Sequence, residues 1–388
     1  MRVFLIAGEP SGDKLGGALM AGLKSLSPGI EFEGIGGEHM TREGLNSLFP
    51  MKELSVMGIA EVLPKYFHLK RRISETAQRV LAMKPDVMIT IDSPDFSLRV
   101  AKIVKANSDI RTVHYVAPTV WAWRPGRAAK MAKHIDQVLA LFPFEPPYME
   151  AEGMRSDFVG HPVVSEPVPS DEDEAAFRKE SQIGEAPILL VLPGSRVGEV
   201  SRLAEPFGDA LRTFLASKPD WRVVIPAAQP VADTVSDIVQ DWPGQPYVLD
   251  PRKYDPRTFA QLKRGAFGAA RVALAASGTV SLELAAARTP MVISYRFNAL
   301  TWVIMKRMAL IDTVTLVNLV SDTRVVPECL GPDCTGAQIA EKLETVCADP
   351  TAQDLAMTVT MERLGQGGDN PGLRAARAVM DGISTSRV

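Results

Sequence analysis

Two doubly wound α/β domains in tandem are what this sequence predicts, and three observations carry the prediction. The chain has 388 residues, 46% of them hydrophobic, whereas a single core stops growing at roughly 250 to 300 residues. Short, continuously apolar runs alternate with longer helical patterns, as parallel strands buried on both faces alternate with crossover helices. The alternation occurs twice, on either side of a stretch rich in proline and acid.

In the first series RVFLIA precedes a helix from Asp13, and DVMITID (86–92) precedes a helix from Phe96. RTVHYVA (111–117) leads into a helix through Lys133, and QVLALF (137–142) closes the series. In the second, PILLVLPG (187–194) precedes a long helix and WRVVIPA (221–227) another, RVALAAS (271–277) the helix carrying Glu283, and MVISYR (291–296) a fourth. Between them HPVVSEPVPSDEDEAA reads as an interdomain linker with the boundary near 162–172. The expected domains are 1–165 and 166–365, followed by a segment 366–388. From Thr335 the pattern is only helical, and the last helix packs either back on the first domain or on a partner chain in a homodimer. In doubly wound sheets a ligand is expected between the domains, at the carboxyl ends of the strands.

Composition removes several classes of function. A net charge of -3 offers no global basic field for nucleic acid. Cys329, Cys334 and Cys347 form no CxxC pair and have no His near them, so they read as reduced thiols of a cytoplasmic protein. The opening MRVFLIAGEPSG is too short an apolar run for a signal peptide and reads as a strand. No run approaches the about 18 apolar residues of a membrane span; the nearest, from Val272 to Leu282, stops at Glu283. The protein is therefore expected to be soluble or peripheral. Five scattered histidines give no metal-ligand spacing.

Chemistry is concentrated in three strand-to-helix turns: AGEPSGD (7–13), PGSRVGEV (193–200) and ASGTVSLE (276–283). Each places glycine and a hydroxyl where backbone N–H groups at a helix start can hold an anion such as phosphate, although tight turning and capping need the same residues. Glu9, Ser11 and Asp13 are the polar residues of the first turn, Gly194, Ser195, Arg196 and Glu199 of the second, and Ser277, Gly278, Thr279 and Glu283 of the third. The first turn lacks P-loop spacing and no GxGxxG follows the first strand, which argues against ATP hydrolysis and dinucleotide oxidoreduction. Arg196 suits a diphosphate, which a guanidinium grips with two parallel hydrogen bonds. Glu283 lies four residues past Thr279, off the capping-box spacing. A carboxylate one turn inside such a helix would accept hydrogen bonds from a ribose diol; a structural acid bonded to backbone is the alternative.

TIDSPDF (90–96) ends a strand with Asp92 and Asp95. Asp92 is the candidate general base, and Asp95 is either a helix cap or an alternative base. HYVAPTVWAWRPGR (114–127) brings Trp121, Trp123 and Arg124 together, either for a sugar phosphate or lipid headgroup or for core packing. His114 and His161 read as structural, and the Asp171–Asp173 triplet as solvated linker charge. In SVMGIAEVLPKYFHLKRRI (55–73), Met57, Leu63, Tyr66, Phe67, Lys70, Arg71 and Arg72 combine apolar surface with positive charge. That is how a peripheral protein settles on an anionic membrane, unless the helix is simply amphipathic with a basic solvent face.

Taken together, AGEPSGD, IDSPDF, HYVAPTVWAW, FPFE (142–145), FVGHP (158–162), LPGSRVGEV, SGTVSLE and TPMVISYR resemble lipid-A-disaccharide synthase in order and spacing over nearly the whole chain. The resemblance implies a GT-B inverting glycosyltransferase of Gram-negative bacteria, with two Rossmann-like domains facing across a cleft. It implies transfer from UDP-2,3-diacylglucosamine to the 6-hydroxyl of 2,3-diacylglucosamine 1-phosphate, in a β(1→6) linkage, with release of UDP. Asp92 then matches the catalytic base, Arg196 the arginine contacting the UDP-sugar, Glu283 the ribose acid and Asn318, in LVNLV (316–320), a nucleotide-sugar pocket residue. Work at the cytoplasmic face of the inner membrane, on its phospholipids, is implied as well, with no cofactor or metal. The rival readings are a UDP-sugar epimerase or peptidoglycan-type transferase on the same scaffold, and a nucleotide-sensing protein without chemistry.

Overall fold

The computed structural model describes residues 1–54 and 59–385, with the side chains of 59–66, 299 and 300 outside that description. It divides into two compact units, Met1–Ser165 together with Leu364–Val388, and Glu166–Arg363.

In the first unit, β1 (Arg2–Ala7), β2 (Glu31–Ile35), β3 (Asn46–Ser47), β4 (Val87–Ile91), β5 (Arg111–Tyr115), β6 (Gln137–Ala140) and β7 (Arg155–Phe158) form one sheet ordered β3-β2-β1-β4-β5-β6-β7. Every pairing in it is parallel. The second unit repeats the plan with β8 (Ile188–Leu192), β9 (Arg222–Pro226), β10 (Tyr247–Leu249), β11 (Ala270–Ala276), β12 (Met291–Tyr295) and β13 (Glu328–Leu330), ordered β10-β9-β8-β11-β12-β13 and again parallel. Strand order reverses between β1 and β4 in one sheet and between β8 and β11 in the other. Right-handed crossovers on the two sides of each reversal send helices to opposite faces, which is why β4 and β8 are buried at every residue. Phe4, Ile6, Met88, Val100 and Val138 belong to the first core, and Leu189, Phe207, Leu211, Phe214 and Val272 to the second.

Three local expectations are corrected. The helices expected from Asp13 and Phe96 begin at Pro10 and Pro94, because proline in a first turn sacrifices no intrahelical hydrogen bond. The acidic linker is a helix from Asp171 to Ser181, capped by Ser170, whose Oγ accepts from the Asp173 N–H at 3.2 Å. Asp173 is not solvated charge: it is buried and accepts from Arg264 Nε and Nη2 at 3.0 and 3.1 Å. That guanidinium holds its carboxyl below the usual carboxylate range and ties the helix to Pro256–Gly268.

The last helix, Pro371–Thr385, packs on Pro10–Leu26 within the first unit. Their backbones approach so closely that a Cβ on Gly22 would lie 2.7 Å from the Gly372 carbonyl oxygen. Arg374 Nη2 donates to the Phe158 carbonyl at 3.0 Å and Gln137 Nε2 to the Ala378 carbonyl at 2.9 Å, fixing the helix to β6 and β7. Among the described residues no helix is long and apolar enough to cross a membrane. Nor does any group of three or more His, Cys, Asp or Glu there have the arrangement to hold a metal ion.

Candidate functional site

At the carboxyl edge of the second sheet lies a cavity of about 730 Å³. Gly194, Ser195, Arg196 and Glu199 line it after β8, Ala228 and Gln229 after β9, Tyr254 and Lys263 after β10, and Ser277, Gly278, Thr279 and Glu283 after β11. The β8 and β11 turns flank the reversal in strand order, where open α/β sheets bind ligands.

Each turn can be built from its residues. Gly194 sits at φ 116, a conformation that favours glycine. Its missing Cβ also leaves room for Glu199, whose own Cβ would be only 3.0 Å away. Arg196 is the last extended residue before the helix Val197–Leu215, and its side chain is 73% exposed. Its Nη1 donates to Glu199 Oε1 at 3.0 Å, while the Ser195 N–H points at Oε2 from 3.4 Å. Glu199 therefore braces the turn by occupying the donors that an anionic ligand would use. Nothing lies within 4 Å of where a Gly278 Cβ would stand, so the turn after β11 leaves open space at the cavity.

The Glu283 side chain is 43% exposed. The helix Val280–Ala286 buries Ser281, Leu282, Leu284 and Ala285, and Glu283 points to the cavity side. One oxygen, Oε2, accepts from Lys263 Nζ at 2.6 Å. Thr279 makes no side-chain cap, in keeping with the spacing argument. Lys263 went unnoticed in the sequence, because nothing local links it to an acid twenty residues on.

Asn318 stands apart from the cavity. It is buried, it does not line the cavity, and its amide is consumed at both ends. Nδ2 donates to Thr313 Oγ1 at 3.1 Å and to the Val326 carbonyl at 2.9 Å, and Oδ1 accepts from the Val326 N–H at 3.0 Å. Its work is to clamp the loop between residues 313 and 326.

In the first unit Asp92 and Ser93 follow β4 with φ of 50 and 46, two consecutive non-glycine residues in the left-handed region. Val116, after β5, has φ 83, and Arg124, in the loop beyond it, φ 51; for a β-branched residue such a value is an outlier. Such residues cost on the order of 1–3 kcal/mol each and persist only where surrounding structure dictates them. Here the Asp92 N–H donates to the Tyr115 carbonyl at 3.0 Å. On the other flank Gly8, just after β1, abuts Ser93, where an added Cβ would come within 2.8 Å of the serine Cβ. The strain collects at the carboxyl edge of this sheet, and its turn presents a half-buried Asp92 at the reversal between β1 and β4.

The remaining candidates divide. Glu9 and Ser11 are exposed at the start of Pro10–Leu26, and Asp95 is exposed in the first turn of Pro94–Asn107. Asp13 is corrected: it is buried and accepts from the N–H groups of Gly37, His39 and Met40 at 2.7, 2.9 and 3.1 Å, so it serves the fold. Trp121 is core: it packs edge-on against Phe144 and donates from Nε1 to Glu145 Oε1 at 3.2 Å. Glu145 is buried and also accepts from the Leu141 and Phe142 N–H groups at 3.0 Å; burial pushes its carboxyl up to about 7. Arg124 stacks on Trp123 at 4.3 Å. His114, bonded to Thr90 Oγ1, and His161, bonded to the Val163 N–H, are structural, and burial lowers each to about 4.

Of the membrane-facing residues, Met57 and the side chains of Leu63 and Tyr66 lie outside the described residues. Phe67 is 78% exposed, and Lys70 and Arg71 are exposed beside it on the helix Ile59–Met83. Arg72 is corrected: it pairs with Glu53 and Glu75 at 2.8 Å and lies over the Phe49 ring.

Two parallel sheets of the same plan, with a ligand-sized cavity at a carboxyl edge, define the GT-B class, the scaffold of many nucleotide-sugar enzymes. A UDP-GlcNAc 2-epimerase from Neisseria meningitidis, solved bound to UDP-GlcNAc, has this fold with a TM-score of 0.62 at 13% identity, over 99% of this chain and 100% of its own. The chain belongs to the lipid-A-disaccharide synthetase family, whose model matches residues 3–370. It is 69% identical over 381 residues to the lipid-A-disaccharide synthase of Ruegeria pomeroyi, covering 98% of this chain and 95% of that one. To the lipid-A-disaccharide synthase of Rhodospirillum centenum it is 45% identical, covering 100% and 95%. The chain is thus an enzyme, a glycosyltransferase of lipid A biosynthesis.

Proposed function

We propose that the protein joins two acylated glucosamines by a single inverting displacement, with the donor's nucleotide held by the second unit and the acceptor activated by Asp92 of the first. The donor is UDP-2,3-diacylglucosamine and the acceptor 2,3-diacylglucosamine 1-phosphate. The acceptor's 6-hydroxyl is a weak nucleophile at neutral pH, so its proton must leave as the oxygen attacks. Asp92 takes that proton; the new bond forms from O6 to the donor's anomeric carbon, and the bond from that carbon to the diphosphate oxygen breaks on the opposite face. UDP departs with the electron pair. Arg196 and the backbone N–H groups at the start of Val197–Leu215 stabilise the charge that develops on it. Glu283, with one oxygen on Lys263, offers the other to the ribose hydroxyls.

The observation that carries this reading is the cavity, which collects the exposed Arg196, the open Gly278 turn and the half-exposed Glu283 at one switch point. Acylated substrates also need a membrane surface, and the exposed Phe67, Lys70 and Arg71 offer apolar and basic contact to the cytoplasmic face of the inner membrane.

The test is turnover of the two lipid substrates to a disaccharide detected by mass, with UDP affinity measured separately. Asp92→Asn is expected to lower turnover about 10²–10⁴-fold with UDP affinity intact. Arg196→Ala is expected to weaken UDP about 10–100-fold, the worth of a charge-assisted hydrogen bond, with little loss of stability. An Asp92→Asn enzyme that turns over normally would sink the assignment.

A further inference from the structure

We propose that the exposed apolar and basic face of the helix Ala299–Met308, with Leu310 just beyond it, is a docking surface on the second unit for an anionic lipid bilayer. It rests on the reading of a membrane-borne substrate and adds a contact which that reading does not supply. The helix follows the carboxyl end of β12, the strand beside β11, and so starts from the same sheet edge as the cavity. Asn298 caps it, Oδ1 accepting from the Thr301 N–H at 2.7 Å.

Its orientation is set by one aromatic. Trp302 turns inward, 5.8 Å from the Phe297 ring and so near Gly331 that a Cβ there would lie 2.5 Å from the indole. Three large aliphatics remain outside: Val303 is 50% exposed, Ile304 47% and Leu310 60%. Large aliphatic side chains grouped this way mark an interaction site more often than they serve a free surface.

Charge identifies the partner. From 299 to 311 there is no acid, and Lys306 and Arg307 are exposed and have no ion-pair partner among the described residues. The charges that flank the segment are already neutralised, Arg296 by Glu205 at 2.9 Å and Asp312 by Arg324 at 2.6 Å. Two uncommitted cations among exposed aliphatics fit lipid headgroups above an acyl layer: the cations meet the negative surface and the aliphatics enter the boundary.

The test is co-sedimentation of the full chain, without substrate, with vesicles of phosphatidylglycerol and phosphatidylethanolamine, against vesicles of phosphatidylcholine alone. Lys306→Glu with Arg307→Glu should weaken binding to the anionic vesicles by at least about thirtyfold, the worth of two cations near such a surface. Val303→Ser with Ile304→Ser and Leu310→Ser should lower binding as well, with thermal melting unchanged in both variants because every altered side chain is exposed. Undiminished vesicle binding by both variants overturns the proposal. So does undiminished binding with a raised KM for the acylated donor, which would make the face an acyl-chain rest. If Phe67→Ser with Lys70→Glu and Arg71→Glu abolishes binding while the helix variants retain it, this surface falls and the membrane reading stands; if the wild-type chain binds no vesicles, both fall.

Discussion

Gly8→Ala tests the geometry of the Asp92 turn without replacing any polar side chain. The new methyl would stand 2.8 Å from Ser93 Cβ and closer still to its Oγ. Ser93 is already left-handed at φ 46, ψ 54 and cannot swing far without carrying Asp92 with it. Overpacking of this kind costs about 1–3 kcal/mol, which lowers the melting temperature by about 4–8 °C at 2 kcal/mol for a unit of this size. Turnover should suffer more than stability, because a shift of about 1 Å in a reacting group costs about 10²-fold. The assay is disaccharide formation under saturating substrates, with a thermal melt on the same preparation. Ser93→Gly in the Gly8→Ala background removes the obstructing side chain and puts glycine where φ is positive, so the double variant should regain most of the activity. If Gly8→Ala melts lower yet turns over within about twofold of wild type, the placement of Asp92 does not matter to the reaction and the argument from strain fails.

Two further outcomes follow from buried or braced carboxylates. Glu145 is raised from 4.5 to about 7 by burial, so the folded state holds a proton that the unfolded state releases; stability should fall by about 3 kcal/mol as pH rises from 4.5 to 7 and level off above it. Glu145→Gln, which keeps an acceptor for the two amides but cannot ionise, should flatten that segment of a pH series of denaturant unfolding curves. Glu199 occupies Arg196 and faces the Ser195 N–H, so Glu199→Gln should tighten UDP about tenfold by removing a competing negative charge. Calorimetric titration reads the change; weaker binding would mean that Glu199 orients the arginine for the nucleotide.

What could be read in advance was whatever was buried on both faces. β1, β4, β8 and β11 sit at the centre of their sheets and are nearly continuous apolar runs, so they declared themselves. The flanking β2 (EFEGI) and β7 (RSDF) did not, because side chains that are only partly covered need not be apolar. Turns rich in glycine and hydroxyls pointed to the cavity, since the backbone freedom that they supply is local. The partners of the polar candidates are not their sequence neighbours. Lys263 reaches Glu283 from another helix, Asp13 serves a loop two dozen residues downstream, and Asn318 clamps a loop around itself. A residue's type reveals which bonds it can make, and only the fold decides who receives them.

The return of Pro371–Thr385 to the first unit makes the second an insertion within it, and that has a consequence for biosynthesis. On the ribosome the Gly22 side of Pro10–Leu26 emerges early but must wait for its cover while roughly 340 further residues are made, about 20–70 seconds at about 5–20 residues per second. The half begun first is therefore finished last, and until Pro371–Thr385 leaves the ribosome the first unit stays open to chaperones along Pro10–Leu26.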